Sequence, residues 1–395
     1  MYRLLRQIGL LLFSCFAFVS FGQNIDYTYY KSGIKAKSQS DFETAIDDFS
    51  TFIKEFPEHA KAYYFRGYCY LYNGDHKEAV TDFKKYVELE PKNVEASYSL
   101  GKAFYEMGSY EEAERSFSRA LDLNPRHLKS INDRGMAKCM QDDFYSALED
   151  FYLAISIDST FAMAYCNAGA ARYFSQDIAR PVKKDLLIAR DWFDKAIKVE
   201  PRLYLAHYNR AAVNFFLEEF EMAIEDLNQT IRIYPTNPMA YFYLGVVYGE
   251  MGNAARAIAE FQKALKLDPS LNYAYEETGH LYRMIGNYPK ALESYYQAKR
   301  ANPEVSKMYL GLMEFEIARV YALMKDSGSM YSALKAAQKH EVFKDRKVYQ
   351  TFLGNKEFKP FRHEKPFQNL SKSLSKIKKE NKFLIAELRW FRMRN

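Results

Sequence analysis

An all-α solenoid of repeated helix pairs is the fold class this chain predicts, and two combs of residues predict it. Gly33, Gly67, Gly101, Gly135 and Gly169 recur every 34 residues. Pro57, Pro91 and Pro125 recur at the same interval, with Ser159 in the fourth slot. After one interval of 42 residues both combs resume, as Ala211, Gly245 and Gly279 and as Pro201, Pro235, Pro269 and Pro303. Self-similarity at a fixed period of this size marks a stack of supersecondary units, none of which buries its apolar face alone.

Residues 94–127 give the clearest unit. A first helix carries Leu100, Gly101 and Phe104; Gly108 and Ser109 follow it, and a second helix carries Ala113, Phe117 and Ala120 before Pro125. The apolar positions fall three and four apart, the spacing of one helical face. Gly101 and Ala113 are small where two helices cross closely. Gly74, Gly108, Gly252 and Gly286 share the slot just past the first helix, where a left-handed backbone suits glycine. The next slot holds Asp41, Asp75, Ser109, Asp143, Asn253 and Asn287, good helix N-caps, and Asp75 with Glu78 and Ser109 with Glu112 have capping-box spacing.

On these residues the chain resembles the tetratricopeptide repeat family over about residues 26 to 305. The matching positions include Gly67, Tyr70, Ala79, Phe83 and Pro91, and later Gly245, Tyr248, Ala257, Phe261, Ala264 and Pro269. They end with Gly279, Tyr282, Ala291, Tyr295, Ala298 and Pro303. The repeats are expected at 26–59, 60–93, 94–127, 128–161, 162–203, 204–237, 238–271 and 272–305. The resemblance implies a right-handed superhelix. Lys138 and Ser159 in the fourth repeat, and Ala211, Asn214 and Thr230 in the sixth, depart from the common residues and are expected to strain the packing a little. About eight extra residues between Tyr173 and Asp185 interrupt the fifth repeat, and Asp185 is expected to resume the capping slot. The stretch 176–184, with Arg180, Pro181, Lys183 and Lys184, reads either as a tolerated surface loop or as a contact arm.

Residues 1–22 read as a secretory signal peptide. Arg3 and Arg6 precede an apolar run from Ile8 to Phe21, and Ser20-Phe21-Gly22 stands before a cut at Gln23. Two other readings stay open: an uncleaved anchor, for which the run is short, and lipidation of Cys15. The chain is expected to be secreted or periplasmic, with envelope association open. Cys69, Cys139 and Cys166 remain, an odd number without framework spacing, and read as small hydrophobes.

After Pro303 the pattern loosens. Residues 306–370 read as a degenerate repeat and a cap: a first helix from Lys307 to Met324, a turn lengthened by residues 326–329, and a second helix from Met330 to His340. Phe358, Phe361, Phe367 and Leu370 would then cover the last apolar layer. Residues 371–395 read as a basic amphipathic helix. Eight lysines and arginines there face two glutamates, a net +6 that equals the charge of the whole chain. The repeat body is near neutral, so the basic pI gives no case for nucleic acid. Leu370, Leu374, Ile377, Asn381, Leu384, Leu388 and Phe391 make a short heptad seam. It fits packing on the protein's own cap, self-association, or docking on an anionic membrane through its lysines, Trp390 and Phe391.

No catalytic constellation emerges. His59, His76, His127, His207, His280, His340 and His363 include no pair at ligand spacing on a helix, and the glycines recur at the repeat period instead of forming a phosphate loop. Acidic pairs such as Asp47-Asp48 and Glu111-Glu112 read as solvated faces. No enzyme activity, metal or cofactor is expected. The resemblance implies that first helices line a concave, partner-binding groove. Its slots here hold Tyr64, Tyr68, Tyr98, Tyr105, Asn132, Asn167, Tyr173, Tyr208, Asn209, Phe215, Phe242 and Tyr243. Aromatic rings offer large rigid contact area, and asparagine amides bond main chain from either atom. The family's carboxylate clamp is not reproduced. The expected role is a cell-envelope scaffold binding a protein or peptide segment. Two alternatives remain: assembly or membrane tethering through residues 371–395, and a glycan-binding or accessory module of an envelope enzyme complex.

Overall fold

A computed structural model of the 395-residue chain describes residues 27–175, 182–301 and 305–376. The expected signal peptide with Cys15 and Gln23, Arg180 and Pro181 of the insertion, Pro303, and the expected heptad seam from Ile377 through Phe391 lie outside the described residues. So does Trp390.

Among the described residues the structure is helical throughout, with twenty α-helices and no strand. The chain divides into two compact units, residues 1–159 and 160–395. The first holds α1 (Thr28–Ser38), α2 (Phe42–Glu55), α3 (Ala60–Asn73), α4 (His76–Leu89), α5 (Val94–Glu106), α6 (Tyr110–Leu123), α7 (Leu128–Met140) and α8 (Phe144–Ile157). The second holds α9 (Ala162–Phe174), α10 (Lys183–Val199), α11 (Tyr204–Phe216), α12 (Phe220–Ile233), α13 (Pro238–Glu250) and α14 (Ala254–Leu267). It continues through α15 (Asn272–Met284), α16 (Tyr288–Ala301), α17 (Lys307–Leu323), α18 (Ser327–Lys339), α19 (Arg346–Gly354) and α20 (Lys365–Ser375). Odd and even helices pair as the first and second helices of each repeat up to α18. Within each unit the second helix also packs on the next first helix.

One contact recurs in nearly every pair. The ring sixteen residues after each comb glycine lies flat against it: Phe49 on Gly33, Phe83 on Gly67, Phe117 on Gly101, Phe151 on Gly135, Phe261 on Gly245 and Tyr295 on Gly279. A Cβ at Gly101 or Gly135 would stand 2.6 Å from a ring carbon. These rings are almost wholly buried, each contributing about 1.5–3 kcal/mol of apolar burial. In the fifth repeat the insertion moves the ring to Phe193, still against Gly169. The sixth repeat solves the crossing differently: Ala211 replaces the glycine and Leu227 replaces the ring, at 2% and 1% exposure. There a methyl group on one helix and an aliphatic side chain on the other share one buried cluster.

A second device uses the neighbouring slots. Arg66, Arg134 and Arg210 each grip, with two nitrogens, an aspartate sixteen residues on. The distances are 2.8 and 2.7 Å to Asp82, 3.0 and 2.6 Å to Asp150, and 2.9 and 2.6 Å to Asp226. The three carboxylates are buried. The free end of each guanidinium donates sixteen residues back, to Ser50, Ser118 and Asp194. This accounts for the departures from the common repeat pattern. Lys138 adds a 2.8 Å ion pair to Asp150. Asn214 donates to Asp226 Oδ2 at 3.0 Å, and Thr230 donates to the Asp226 carbonyl at 3.0 Å. These substitutions make buried hydrogen bonds where strain was expected.

Several local expectations are corrected. Asp41, Asp143, Asn253 and Asn287 accept a first-turn N–H, but Asp75 and Ser109 do not cap. The Asp75 carboxylate takes the Asn73 amide at 2.7 Å instead, and Glu112 takes Arg115 at 2.9 Å, so neither capping box forms. Asp185 lies inside the first turn of α10, where it receives Arg172 at 2.5 Å; Val182 occupies the cap. Residues 327–329 are the first turn of α18, not a lengthened loop, because Lys325 turns left-handed and Asp326 caps Ser329 at 3.0 Å. The left-handed slot also survives without glycine, at Ser40, Asp142 and Glu218. Asp47 is exposed, but Asp48 is half-buried with one carboxylate oxygen enclosed and unbonded, so the pair is not wholly a solvated face.

Past α18, Phe358, Phe361, Phe367 and Leu370 are buried together with Phe315, Phe343 and Phe352. Helix α20 runs across position 370, and Leu374, the second residue of the seam, is buried in the same cluster. Glu357 ties this closing segment down by accepting from Arg283 at 2.8 Å and Arg319 at 2.7 Å. The three described cysteines are free, and burial pushes their thiols up to about 11 at Cys69 and about 12 at Cys139 and Cys166. No helix among the described residues is long and apolar enough to cross a membrane.

Two tests follow from the packing. Gly101→Ala should cost about 1–3 kcal/mol in urea unfolding, and adding Phe117→Leu should cost less than the two single changes summed, because the pair then copies Ala211 and Leu227. Arg66→Met should cost about 3–5 kcal/mol by stranding the Asp82 carboxylate, with much of the loss recovered in Arg66→Met/Asp82→Leu.

Candidate functional site

The residues expected to face a partner separate by unit. In the first unit they are largely engaged with neighbours. Tyr64 packs at 5.4 Å on Tyr86, Tyr68 lies 4.5 Å from Tyr72 under the Lys37 ammonium, and Tyr105 meets Tyr110 at 5.4 Å. The Tyr98 hydroxyl donates to Asp133 Oδ2 at 2.9 Å, and the Asn132 amide donates to Asp133 Oδ1 at 2.9 Å. Burial, reinforced by that carboxylate, pushes the Tyr98 phenol well above its usual range.

In the second unit the arrangement is different. A cavity of about 440 Å³ opens along the first helices α9, α11, α13, α15 and α17. Six of the expected residues line it: Tyr173, Tyr208, Asn209, Phe215, Phe242 and Tyr243. Asn167 is half-buried and is not among the lining residues. The geometry comes from the stacking of the repeats. Tyr208, Phe242 and Glu276 occupy one slot at 34-residue intervals, and Asn209, Tyr243 and Glu277 occupy the next, so successive helices deliver a two-column wall. Tyr208 and Tyr243 meet edge to face at 5.5 Å, and Phe242 stands 5.5 Å from Phe261. Ala211 and Leu227, the reduced pair of the sixth repeat, form part of the lining.

Sequence reasoning missed the far wall. Tyr273, Glu276, Glu277, Tyr309 and Leu312 complete the cavity. Glu276 and Glu277 were within reach of the same slot argument carried one repeat further. Tyr309 and Leu312 lie in the degenerate repeat, where the 34-residue period no longer indexes positions. Tyr273 and Tyr309 meet edge to face at 5.5 Å. Removal from water pushes the Glu276 carboxyl up to about 8, against smaller opposing effects of His280 and Tyr309. Burial raises the phenols of Tyr173 and Tyr208 well above their usual range.

The arrangement suits binding: a concave, largely apolar surface with a few polar groups that fix orientation. Among the described residues no group of three or more histidine, cysteine, aspartate or glutamate side chains is placed to hold a metal ion.

A family model described as Tetratricopeptide repeat matches residues 30–94, 70–127 and 98–155, and a second of the same description matches residues 238–271. Among solved structures, MamA protein is similar at 26% identity, over 44% of this chain and 91% of that one, with a TM-score of 0.39. A thermophilic tetratricopeptide repeat protein of Thermus thermophilus is similar at 23% identity, over 48% and 98%, with a TM-score of 0.42. A tetratricopeptide repeat protein from Parabacteroides merdae is similar at 17% identity, over 65% and 97%, with a TM-score of 0.49. No curated protein matches the sequence. The matched segments fall on the helix pairs described above, so tetratricopeptide repeats are shown over residues 30–155 and 238–271 of this chain.

Proposed function

We propose that this protein is an exported, non-enzymatic scaffold that holds a segment of a partner protein in the aromatic cavity of its second unit. Tetratricopeptide repeat proteins generally mediate protein–protein interaction, and the family is generally non-enzymatic. The observation that carries the finer reading is the cavity itself. Five first helices converge on it, its rings are fixed by edge-to-face contacts, and Asn209 with Glu276 and Glu277 supplies polar groups. Rigid aromatic surface of this kind gains contact area on binding with little ordering cost. Export is supported by the two arginines and the apolar run of the first 22 residues.

The test is to fill the cavity without disturbing the core. Ala212 is half-buried and lines the cavity, so Ala212→Trp should place an indole in it. The variant should keep the wild-type helical circular dichroism and melting temperature yet lose the protein partner that the wild type retains from a native envelope extract. Tyr64→Ala/Tyr98→Ala, in the first unit, should keep that partner. Retention by Ala212→Trp, or loss only in the first-unit variant, would move the site away from this cavity.

A further inference from the structure

We propose that the second-unit cavity selects a partner segment carrying a lysine or arginine, and seats the cationic head between tyrosine rings and the carboxyl groups of Glu276 and Glu277. The proposal rests on the reading of this cavity as the partner groove and names the chemistry of what enters it. Among the described residues that line it, the ones bearing carboxyl groups are Glu276 and Glu277, and none is lysine, arginine or histidine. Its walls hold two tyrosine pairs, Tyr208 with Tyr243 and Tyr273 with Tyr309, each tilted by more than 60°. Such pairs present ring faces and edges together, and the electron-rich faces attract a desolvated cation.

The Tyr173 hydroxyl is an independent indication. Tyr173 is 5% exposed, lines the cavity, and its hydroxyl is buried without a hydrogen-bond partner. A buried polar group in that condition is costly, and its oxygen is an acceptor suited to the N–H of an ammonium or guanidinium.

The surrounding charges explain why the site would take a cation from outside. Glu276 is faced on its own helix by Glu277 and His280, and from α17 by Tyr309 and Glu316. The nearby arginines are already engaged. Arg319 pairs with Glu316 at 2.8 Å and Glu357 at 2.7 Å, and Arg283 pairs with Glu357 at 2.8 Å. His280 lies 3.9 Å from Glu277 and 3.6 Å from Glu316. Glu276 therefore has no arginine or lysine partner of its own among these contacts, and it holds a proton up to about pH 8. A cation binds its ionised form better, so binding expels that proton, and affinity rises with pH until the carboxyl is ionised without help. Burial lowers the pKa of His280, and the neighbouring glutamates outweigh that and raise it.

The experiment uses the full chain and three probes of matched size followed by NMR: n-butylammonium, n-butanol and butyrate. Butylammonium should bind about tenfold more tightly than either of the others, with affinity rising several-fold between about pH 6 and 8. Glu276→Gln/Glu277→Gln should remove both the preference and the pH dependence while leaving butanol binding unchanged. Equal binding of the three probes, a preference for butyrate, a flat pH profile, or a preference that survives the double variant would each overturn the proposal. A carbodiimide cross-link from Glu277 to a lysine of residues 377–395 in the same chain would also overturn it, by assigning the cavity to this chain's own basic end. None of these outcomes touches the Ala212→Trp capture assay, so failure of the cation proposal and failure of the groove reading are separable.

Discussion

The contact between a glycine on one helix and a ring sixteen residues later is the constraint on which the repeats depend. It sets how closely the two helices of a pair approach, because a side chain at Gly101 or Gly135 would meet the ring before the backbones could close. Once that separation is set, the alanines opposite, such as Ala79, Ala113 and Ala147, are wholly enclosed. Within each unit the second helix of a pair then packs on the next first helix. Interiors packed at this density transmit a change of one methyl group to the neighbouring elements.

The sixth repeat shows what relaxing the constraint gives. Ala211 and Leu227 keep the helices in place but put an aliphatic pair where the other repeats put a ring, and both residues line the cavity. Around them the first helices supply Tyr208, Phe215 and Tyr243. The polar face of the same repeat is strengthened: Arg210, His207 and Asn214 all reach the buried Asp226 carboxylate. A thinner apolar seam on one side is accompanied by a denser hydrogen-bond network on the other, which holds α11 and α12 together beside the cavity.

Most of the fold was legible because it is written in spacing. The glycine and proline combs place every regular helix pair, and the left-handed turn after the first helix follows from Gly74, Gly108, Gly252 and Gly286. The legible part ended where identity, and not spacing, decides the outcome. Asp75 looks like a cap, yet a neighbouring asparagine two residues away takes its carboxylate. Lys138, Asn214 and Thr230 look like departures, yet they complete buried networks that no local pattern announces. The candidate site divides in the same way. Its near wall follows from the repeat slots, whereas Tyr309 and Leu312 come from a pair whose period has slipped, and their approach to Glu276 depends on how that pair stacks.

The alternating arginines give the array a grammar of its own. Each guanidinium at positions 66, 134 and 210 needs a hydroxyl or carboxylate from the repeat before it, and Ser50, Ser118 and Asp194 provide one. The corresponding slots of the second and fourth repeats hold Lys84 and Tyr152. Excising the third repeat alone would set Lys84 against Arg134, two cations side by side, whereas excising the second and third together returns Ser50 to that place. Over this stretch the heritable module is two repeats long, so the chain would gain or lose length by paired duplication and deletion more readily than by single steps.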